Sequence, residues 1–221
     1  MEATISADIV NSTSLEVNEI KALRKRLNEL FNHFESEIPG FWARIVRGDT
    51  IECYVPDYRK ALRVAITIKL YIKSAASSFP YSFLLSKYGI RYSIGIGSLK
   101  YVSKEDDIID GPAIYISGRN LDAISNKKDV YSIIDMERDS MGMKWFLDSY
   151  VSLLDNLING YSPKQAQVVF YKLLGYKEQK ISELLNVYQS AINSRSSLAR
   201  WSLLDAAIKD FENLDKELIC G

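Results

Sequence analysis

Two aspartates stand where predicted strands end, and together they form a candidate site for a divalent cation. Asp8 lies near the end of an apolar run, residues 3–10, that alternates like a half-buried strand, and Asp49 separates two short extended runs. If the three strands are neighbours in one sheet, the two carboxylates converge. Paired carboxylates are hard oxygen ligands for Mg²⁺ or Mn²⁺, and phosphate oxygens complete such a shell. Each aspartate alone has a plainer interpretation, as a helix cap or a turn residue.

A second group of polar side chains lies near the C-terminus, in a segment with the pattern of helix, turn and helix. Amide and hydroxyl side chains at the start of the second helix of such a motif read base edges in the major groove, and basic side chains hold phosphates. The candidates for base contacts are Gln189, Ser190, Asn193 and Ser194, and those for phosphate contacts are Lys180, Arg195 and Arg200. Residues 162–200 carry six basic and two acidic side chains, which fits contact with the phosphates of double-stranded DNA and equally a solvated helix face. A helical packing or dimerisation module is the alternative.

The elements that must position the aspartates follow the order β-α-β-β-α, then a strand, a helix and a last strand. Periodicity predicts helices over 16–36, 57–77 and 112–125, and strands over 3–10, 41–46, 50–55, 90–97 and 130–134. This order predicts an α/β (α+β) sandwich, in which a mixed ferredoxin-like sheet carries helices on one face.

The remaining residues predict an all-α unit. A connecting helix is expected within 137–160, ending at Asn159-Gly160. Ser162-Pro163 supplies a cap for a helix that ends before Gly175, a second helix covers 178–185, and a third begins at Gln189 and continues towards Leu218. The predicted domains are residues 1–136, a connector over 137–160, and a small helical domain over 161–221.

Composition excludes several other classes of protein. Hydrophobic residues make up 47% and charged residues 25% of the chain, and no apolar run approaches the ~18 residues of a membrane span. The amino terminus lacks a basic segment followed by an apolar one, so a cytoplasmic protein without a membrane partner is expected. Cys53, Cys220 and a single His33 provide neither a disulfide framework nor a zinc site.

Four segments resemble, in order, the motifs of class III nucleotidyl cyclases. Ala7-Asp8-Ile9-Val10-Asn11-Ser12-Thr13 is similar to FADIxGFT, and Ile45-Val46-Arg47-Gly48-Asp49-Thr50-Ile51 to the KTIGDxxM hairpin. Arg91-Tyr92-Ser93-Ile94-Gly95-Ile96-Gly97 is similar to xRxGIhxG, and residues 110–121, DGPAIYISGRNL, to WGxxVNxAxRL. The resemblance covers most of residues 3–136 and implies a cyclase-like fold.

This resemblance implies roles for individual residues. Asp8 and Asp49 match the metal ligands, which with Mg²⁺ or Mn²⁺ activate the ribose 3′-hydroxyl of a nucleoside triphosphate, and Arg119 matches the arginine that stabilises the transition state. These three form the implied catalytic set. The implied nucleotide contacts are Ile9, Ser12, Thr13, Gly48 and Tyr115. Three departures concern the nucleoside: Ile45 replaces a base-selecting lysine, Tyr115 replaces the ribose-positioning asparagine, and the base-reading aspartate aligns near Ile108, beside Asp107.

The resemblance also implies a homodimer, because sites of this family lie between two chains. Residues 181–193 are similar to the signature of bacterial helix-turn-helix regulators, and the whole layout resembles the SatD-like bacterial family. The first functional hypothesis is therefore a DNA-binding regulator that responds to nucleotide and metal. The alternatives are an active nucleotidyl cyclase, with a non-purine substrate included, and a catalytically inactive interaction scaffold.

Overall fold

The computed structural model describes residues 1–46, 48–75, 83–127, 129–138 and 142–215. Seven strands lie in these ranges: β1 (Glu2–Ile9), β2 (Trp42–Val46), β3 (Thr50–Val55), β4 (Ile90–Gly97), β5 (Tyr101–Ser103), β6 (Ile108–Asp110) and β7 (Ser132–Met136). The same ranges contain nine α-helices: α1 (Val17–Glu37), α2 (Ala61–Ala75), α3 (Phe83–Tyr88), α4 (Pro112–Ser125), α5 (Met143–Asn159), α6 (Pro163–Leu173), α7 (Glu178–Leu185), α8 (Gln189–Leu198) and α9 (Trp201–Glu212). No helix in these ranges is both long and apolar enough to cross a bilayer.

Five strands form one mixed sheet in the order β2-β3-β1-β4-β7, and β5 and β6 form a separate two-stranded ribbon. All pairs in the larger sheet are antiparallel except β4 with β7, which is parallel. The strand β1 is central, with Ile5 opposite Cys53 on one side and Ile94 on the other. The predicted α/β fold class is confirmed, and so is the adjacency of the three strands that carry the aspartates.

Helices cover both faces of the sheet, not one face as expected. On β4, Tyr92 faces α2, since the Nζ atom of Lys69 lies 6.0 Å from the centroid of the Tyr92 ring. Gly95 lies three residues further along the strand, so it points to the opposite face of the sheet, towards α4. A Cβ added at Gly95 would lie 2.2 Å from the carbonyl oxygen of Ala113. The sheet residues under α4 are small, which lets the helix approach closely, and their apolar neighbours point to the other face. The expectation of helices on one face overlooked the glycines and serines of β4 and β1.

Helices α5, α6 and α9 share the hydrophobic core of the sheet. Helix α6 packs along α2, and it begins with a capping box in which the side chains of Ser162 and Gln165 each bond the backbone of the other. The Arg63 guanidinium of α2 contacts the Glu212 carboxylate of α9 at 2.7 Å. The domain boundaries at residues 136 and 160 stay a prediction, and the described helices pack across them.

Two predicted helices differ from those observed. The chain after Asp57 first makes a 3-10 turn, Tyr58–Lys60, and α2 follows; residues 76 and 77 of the predicted helix lie outside the described residues. The long helix expected from Gln189 towards Leu218 is interrupted, because Arg200 adopts a left-handed conformation with φ 52° between α8 and α9. The 3.6-residue periodicity of apolar residues does not reveal a helix break at a single residue. The helix α3 and the β5–β6 ribbon were not predicted.

Candidate functional site

The carboxylates of Asp8 and Asp49 meet at one end of the sheet. Asp8 is the next-to-last residue of β1 and pairs with Thr50 of β3, so it lies next to the turn that joins β2 to β3. Gly48, with a positive φ of 94°, allows this turn, and Asp49 follows it. The side chains of the two aspartates lie close enough for Asp49 to raise the pKa of Asp8. Ser12, in the 3-10 turn that follows β1, donates a hydrogen bond from its Oγ atom to Asp49.

The environment of Asp8 favours its protonated form. Burial is the main cause, and the negative charge of Asp49 and the hydrogen bond with it add to this effect, so that the pKa of Asp8 rises to about 6. The positive charge of Arg91 and the backbone N–H of Ile9 act in the opposite direction and do not cancel the rise. Two carboxylates that share a proton form a site that a cation can enter in place of that proton.

Asp8 opens into a cleft of about 360 Å³ between the sheet and α4. Thr50 and Glu52 line it from β3, and Gly118 and Asp122 from α4. Glu52 is held by Arg44, with 2.7 Å between the guanidinium Nη2 and the carboxylate Oε2. The cleft is therefore polar on both walls, and its acidic character suits a cation or a ligand that arrives with one.

On its other side Asp49 borders a separate pocket of about 220 Å³. Four of the five residues expected to contact a nucleotide line it, namely Ile9, Ser12, Thr13 and Gly48. The remaining lining comes from Leu15, which precedes α1, and from Ile20, Leu23 and Arg24 of α1. These four residues are thus brought together beside Asp49, whereas Tyr115 lies elsewhere.

Tyr115 and Arg119 occupy the outer surface of α4. Neither residue lines the cleft that contains Asp8. Arg119 is exposed, and its Nε atom donates to the carbonyl oxygen of Tyr115, one turn earlier, at 3.1 Å. The Tyr115 hydroxyl donates to the carboxylate of Asp110. One copy of the chain therefore does not bring the implied catalytic arginine into the cleft of the aspartate pair.

The residues near the expected base-reading position form an ion pair of their own. Asp107 adopts a left-handed conformation with φ 57°, and its carboxylate Oδ1 lies 3.2 Å from the Nη1 atom of Arg44. Arg44 thus bridges Glu52 and Asp107. Ile45 follows it on β2 and is half-buried.

Among the described residues, no group of three or more histidine, cysteine, aspartate or glutamate side chains is arranged to hold a metal ion. The pair of aspartates with Ser12 nevertheless fits a cation that keeps waters and brings phosphate oxygens, as Mg²⁺ commonly does. The aspartate pair leaves part of the coordination shell of such a cation to be filled by oxygens of the bound ligand.

The polar residues proposed to contact DNA lie on and around α8. Gln189, Ser190, Asn193 and Ser194 are exposed, and Arg195 is half-buried. Ile192, on the opposite face of the helix, packs with Val168 of α6 and Ile181 of α7 in a small buried cluster. Lys180 is exposed and lies 3.5 Å from Glu183, and Arg200 is exposed at the break after α8. The four amide and hydroxyl residues are exposed on α8, whereas Lys180 lies on α7 and Arg200 at the break after α8.

Two charged residues near Asp8 were not singled out as site residues from the sequence. Arg91 pairs with Asp8 across the β1–β4 ladder, and its charge opposes the rise in the pKa of Asp8. Asp122 lines the cleft from α4. Arg91 could have been identified from the sequence, because it is a charged residue within a strand that is otherwise buried. Asp122 carries no such signal, because its position depends on how α4 crosses the sheet.

Comparisons with known proteins give one distant structural similarity. No family model matches the sequence, and no curated protein matches it. A solved structure described as a bacterial light-regulated adenylyl cyclase is similar, with a TM-score of 0.45 and 16% sequence identity. The similarity covers 60% of this chain and 74% of that chain.

Proposed function

We propose that Asp8 and Asp49 bind a divalent cation, Mg²⁺ or Mn²⁺, and through it the phosphates of a nucleotide. The observation that supports this proposal is the sheet register, which pairs Asp8 with Thr50 directly beside Asp49, together with the raised pKa of about 6 for Asp8. A cation between the two carboxylates replaces repulsion by attraction, and the polar cleft beside Asp8 leaves room for phosphate oxygens.

The cation would be held by the two carboxylates, with Ser12 fixing the orientation of Asp49. When bound, it would neutralise phosphate charge. Arg119 belongs to this site only if a second copy of the chain presents its α4 to the cleft, which is the arrangement that the motif resemblance implies. The homodimer is part of the proposal for that reason.

Nucleotide binding is favoured over turnover, because the positions that would place a purine nucleoside have changed. Ile45 offers no hydrogen bond to a base, and the Tyr115 hydroxyl is engaged by Asp110. An active cyclase is the alternative for this same site. Mass spectrometry after incubation with each of the four triphosphates and Mn²⁺ distinguishes the two, since a cyclic product that Asp8→Asn abolishes would establish catalysis.

Calorimetric titration of the full chain tests the binding proposal directly. Each nucleoside triphosphate is added in the presence of MnCl₂, and at least one should bind and raise the melting temperature. Asp8→Asn and Asp49→Asn should abolish this binding. Asp122→Asn, in the same cleft but outside the pair, is the matched control. Absence of heat and of a melting shift for every triphosphate would refute the proposal and favour an inactive scaffold.

A second candidate function, binding of double-stranded DNA, is supported by the exposed face of α8. Four short amide and hydroxyl side chains occupy that face. On the opposite face, Ile192 packs with Val168 and Ile181. These are the side-chain types that read base edges in the major groove. Helices α6 and α9 pack against both α2 and α8. A movement of the sheet and α2 would therefore be transmitted to α8. Nucleotide-dependent DNA affinity would therefore unite the two candidate functions in one regulator.

A further inference from the structure

The pocket on the far side of Asp49 differs in character from the polar cleft. It lies between the 3-10 turn after β1, the start of α1 and the tip of the β2–β3 hairpin. Ile9, Leu15, Ile20 and Leu23 form its walls, and the lining is almost entirely apolar. Walls of this kind suit an apolar group better than the ribose or the triphosphate of a nucleotide.

The pocket is large enough for an organic group. Its volume of about 220 Å³ exceeds the ~150 Å³ of an apolar cavity that accepts benzene. Ser12 lines it and stands where the similar cyclase motif carries phenylalanine. A small hydroxyl side chain at this position leaves open a space that an aromatic ring would occupy.

The charged residues around the pocket indicate the charge of the molecule that it binds. Arg24, one turn after Ile20 on α1, contributes to the lining. Within the described part of the chain Arg24 forms neither a hydrogen bond nor an ion pair, whereas Asp49 is engaged by Ser12 and Asp8. The unpaired charge beside the apolar walls is therefore positive.

We propose that this pocket binds the apolar group of a small organic anion, whose charged end lies against the Arg24 guanidinium. The ligand class is an amphiphile with a short alkyl chain or a single ring and one phosphate or carboxylate. This pocket shares Asp49 with the metal pair, but its ligand requires neither the cation nor a nucleotide. Ser12 lines the pocket and bonds Asp49, so the two sites are adjacent.

Calorimetry of the metal-free full chain in EDTA tests the proposal with inorganic phosphate, butyl phosphate, hexyl phosphate and 1-hexanol as probes. Affinity should rise by about fourfold for each added methylene until the pocket is full. Hexyl phosphate should also bind about tenfold more tightly than 1-hexanol, because the phosphate makes a charge-assisted contact with Arg24. Equal affinity for inorganic phosphate and hexyl phosphate would overturn the proposal.

Two substitutions assign the binding to this pocket. Ile20→Trp fills the apolar space and should remove the dependence on chain length, whereas Val17→Trp, exposed on the same helix, should preserve it. Arg24→Gln should weaken hexyl phosphate about tenfold and leave 1-hexanol unchanged, with Lys21→Gln as control. Persistence of the chain-length dependence in folded Ile20→Trp, or an unchanged affinity in Arg24→Gln, would place the ligand elsewhere and refute the proposal.

Failure here is distinguishable from failure of the nucleotide proposal. Asp8→Asn should abolish the binding of manganese with nucleotide and leave the binding of hexyl phosphate in EDTA intact, because Asp8 does not line the apolar pocket.

Discussion

Asp49 raises the pKa of Asp8 although one residue lies in a hairpin turn and the other on the central strand. The sheet register places them together, because Asp8 pairs with the residue that follows Asp49. Two partly buried carboxylates in this arrangement repel each other once both are ionised. The native fold maintains this unfavourable contact, and its relief by a cation is the physical basis of the proposed function.

Replacing Asp8 by asparagine should stabilise the metal-free protein. Asparagine keeps a donor for the Asp49 carboxylate and removes the repulsion and the cost of burying a charge. At pH 7 the expected gain is about 1 kcal/mol after discounting for solvent screening, or a melting temperature higher by about 2–4 °C. Differential scanning calorimetry of Asp8→Asn beside Asp122→Asn measures it. A lower melting temperature for Asp8→Asn would show that the pair is not repulsive.

The stability of the metal-free protein should fall between about pH 4 and pH 6. The folded state raises the pKa of Asp8 to about 6 from 3.8, so in that window it binds more protons than the unfolded chain does. Stability therefore declines as the pH rises through the window and is level above it. Urea unfolding at half-unit pH steps should show a decline in the native protein that is absent from Asp8→Asn. An identical profile in both proteins would contradict the raised pKa.

The secondary structure was largely accessible from the sequence, because alternation on the strands and a 3.6-residue stripe on the helices both follow from burial. The bounds of β3 and β4 agree with those expected. The break at Arg200 and the position of α4 were not accessible. Both depend on contacts between distant segments, such as the bonds from Thr4 and Ser6 on β1 to Ser117 on α4.

The candidate site was predicted only in part, for a related reason. Motif order identified Asp8 and Asp49, since each follows a strand whose place in the sheet can be inferred. The resemblance also assigned Arg119 to the other chain of a dimer, and within one chain Arg119 lies outside their cleft. The apolar pocket was also unexpected, because the sequence predicts Ile20 and Leu23 as ordinary core positions of α1, and only the structure places Gly48 and Asp49 of the hairpin beside them.

The buried ion pair between Lys69 and Asp155 should be necessary for the attachment of α5. The Nζ atom of Lys69 lies 2.7 Å from Oδ1 of Asp155, and both residues are almost fully buried. Lys69→Met leaves a buried carboxylate without its cation, which should cost about 3–5 kcal/mol. Chemical denaturation measures this loss. The double variant Lys69→Met/Asp155→Leu should recover most of it, and Lys209→Gln, at an exposed pair, should have little effect. Equal loss in the single and double variants would contradict the argument.

Lys73 should make stability rise with pH above neutrality. Burial, with the charge of Lys69 second, lowers its pKa to about 7, and its Nζ atom donates to the carbonyl oxygen of Ser86 at 2.9 Å. Between pH 7 and 9 the unfolded chain therefore binds more protons at this group than the folded chain does. The rise should be at most about 1.4 kcal/mol per pH unit. Urea unfolding of Lys73→Met should lack it, whereas Lys21→Met, exposed on α1, should keep it.

Substitutions on α8 should separate the two kinds of DNA contact. Arg195→Gln removes a charge proposed to lie at a phosphate, so affinity should fall for every duplex and the slope of log K against log salt should decrease by about 1. Asn193→Ala should instead reduce the preference among sequences, because an amide reads a base edge. Fluorescence anisotropy with a randomised and a selected duplex measures both effects, and Lys209→Gln on α9 is the control. Affinity that is insensitive to salt in the native protein would exclude a phosphate-contacting face, and α8 would then be a packing surface for protein.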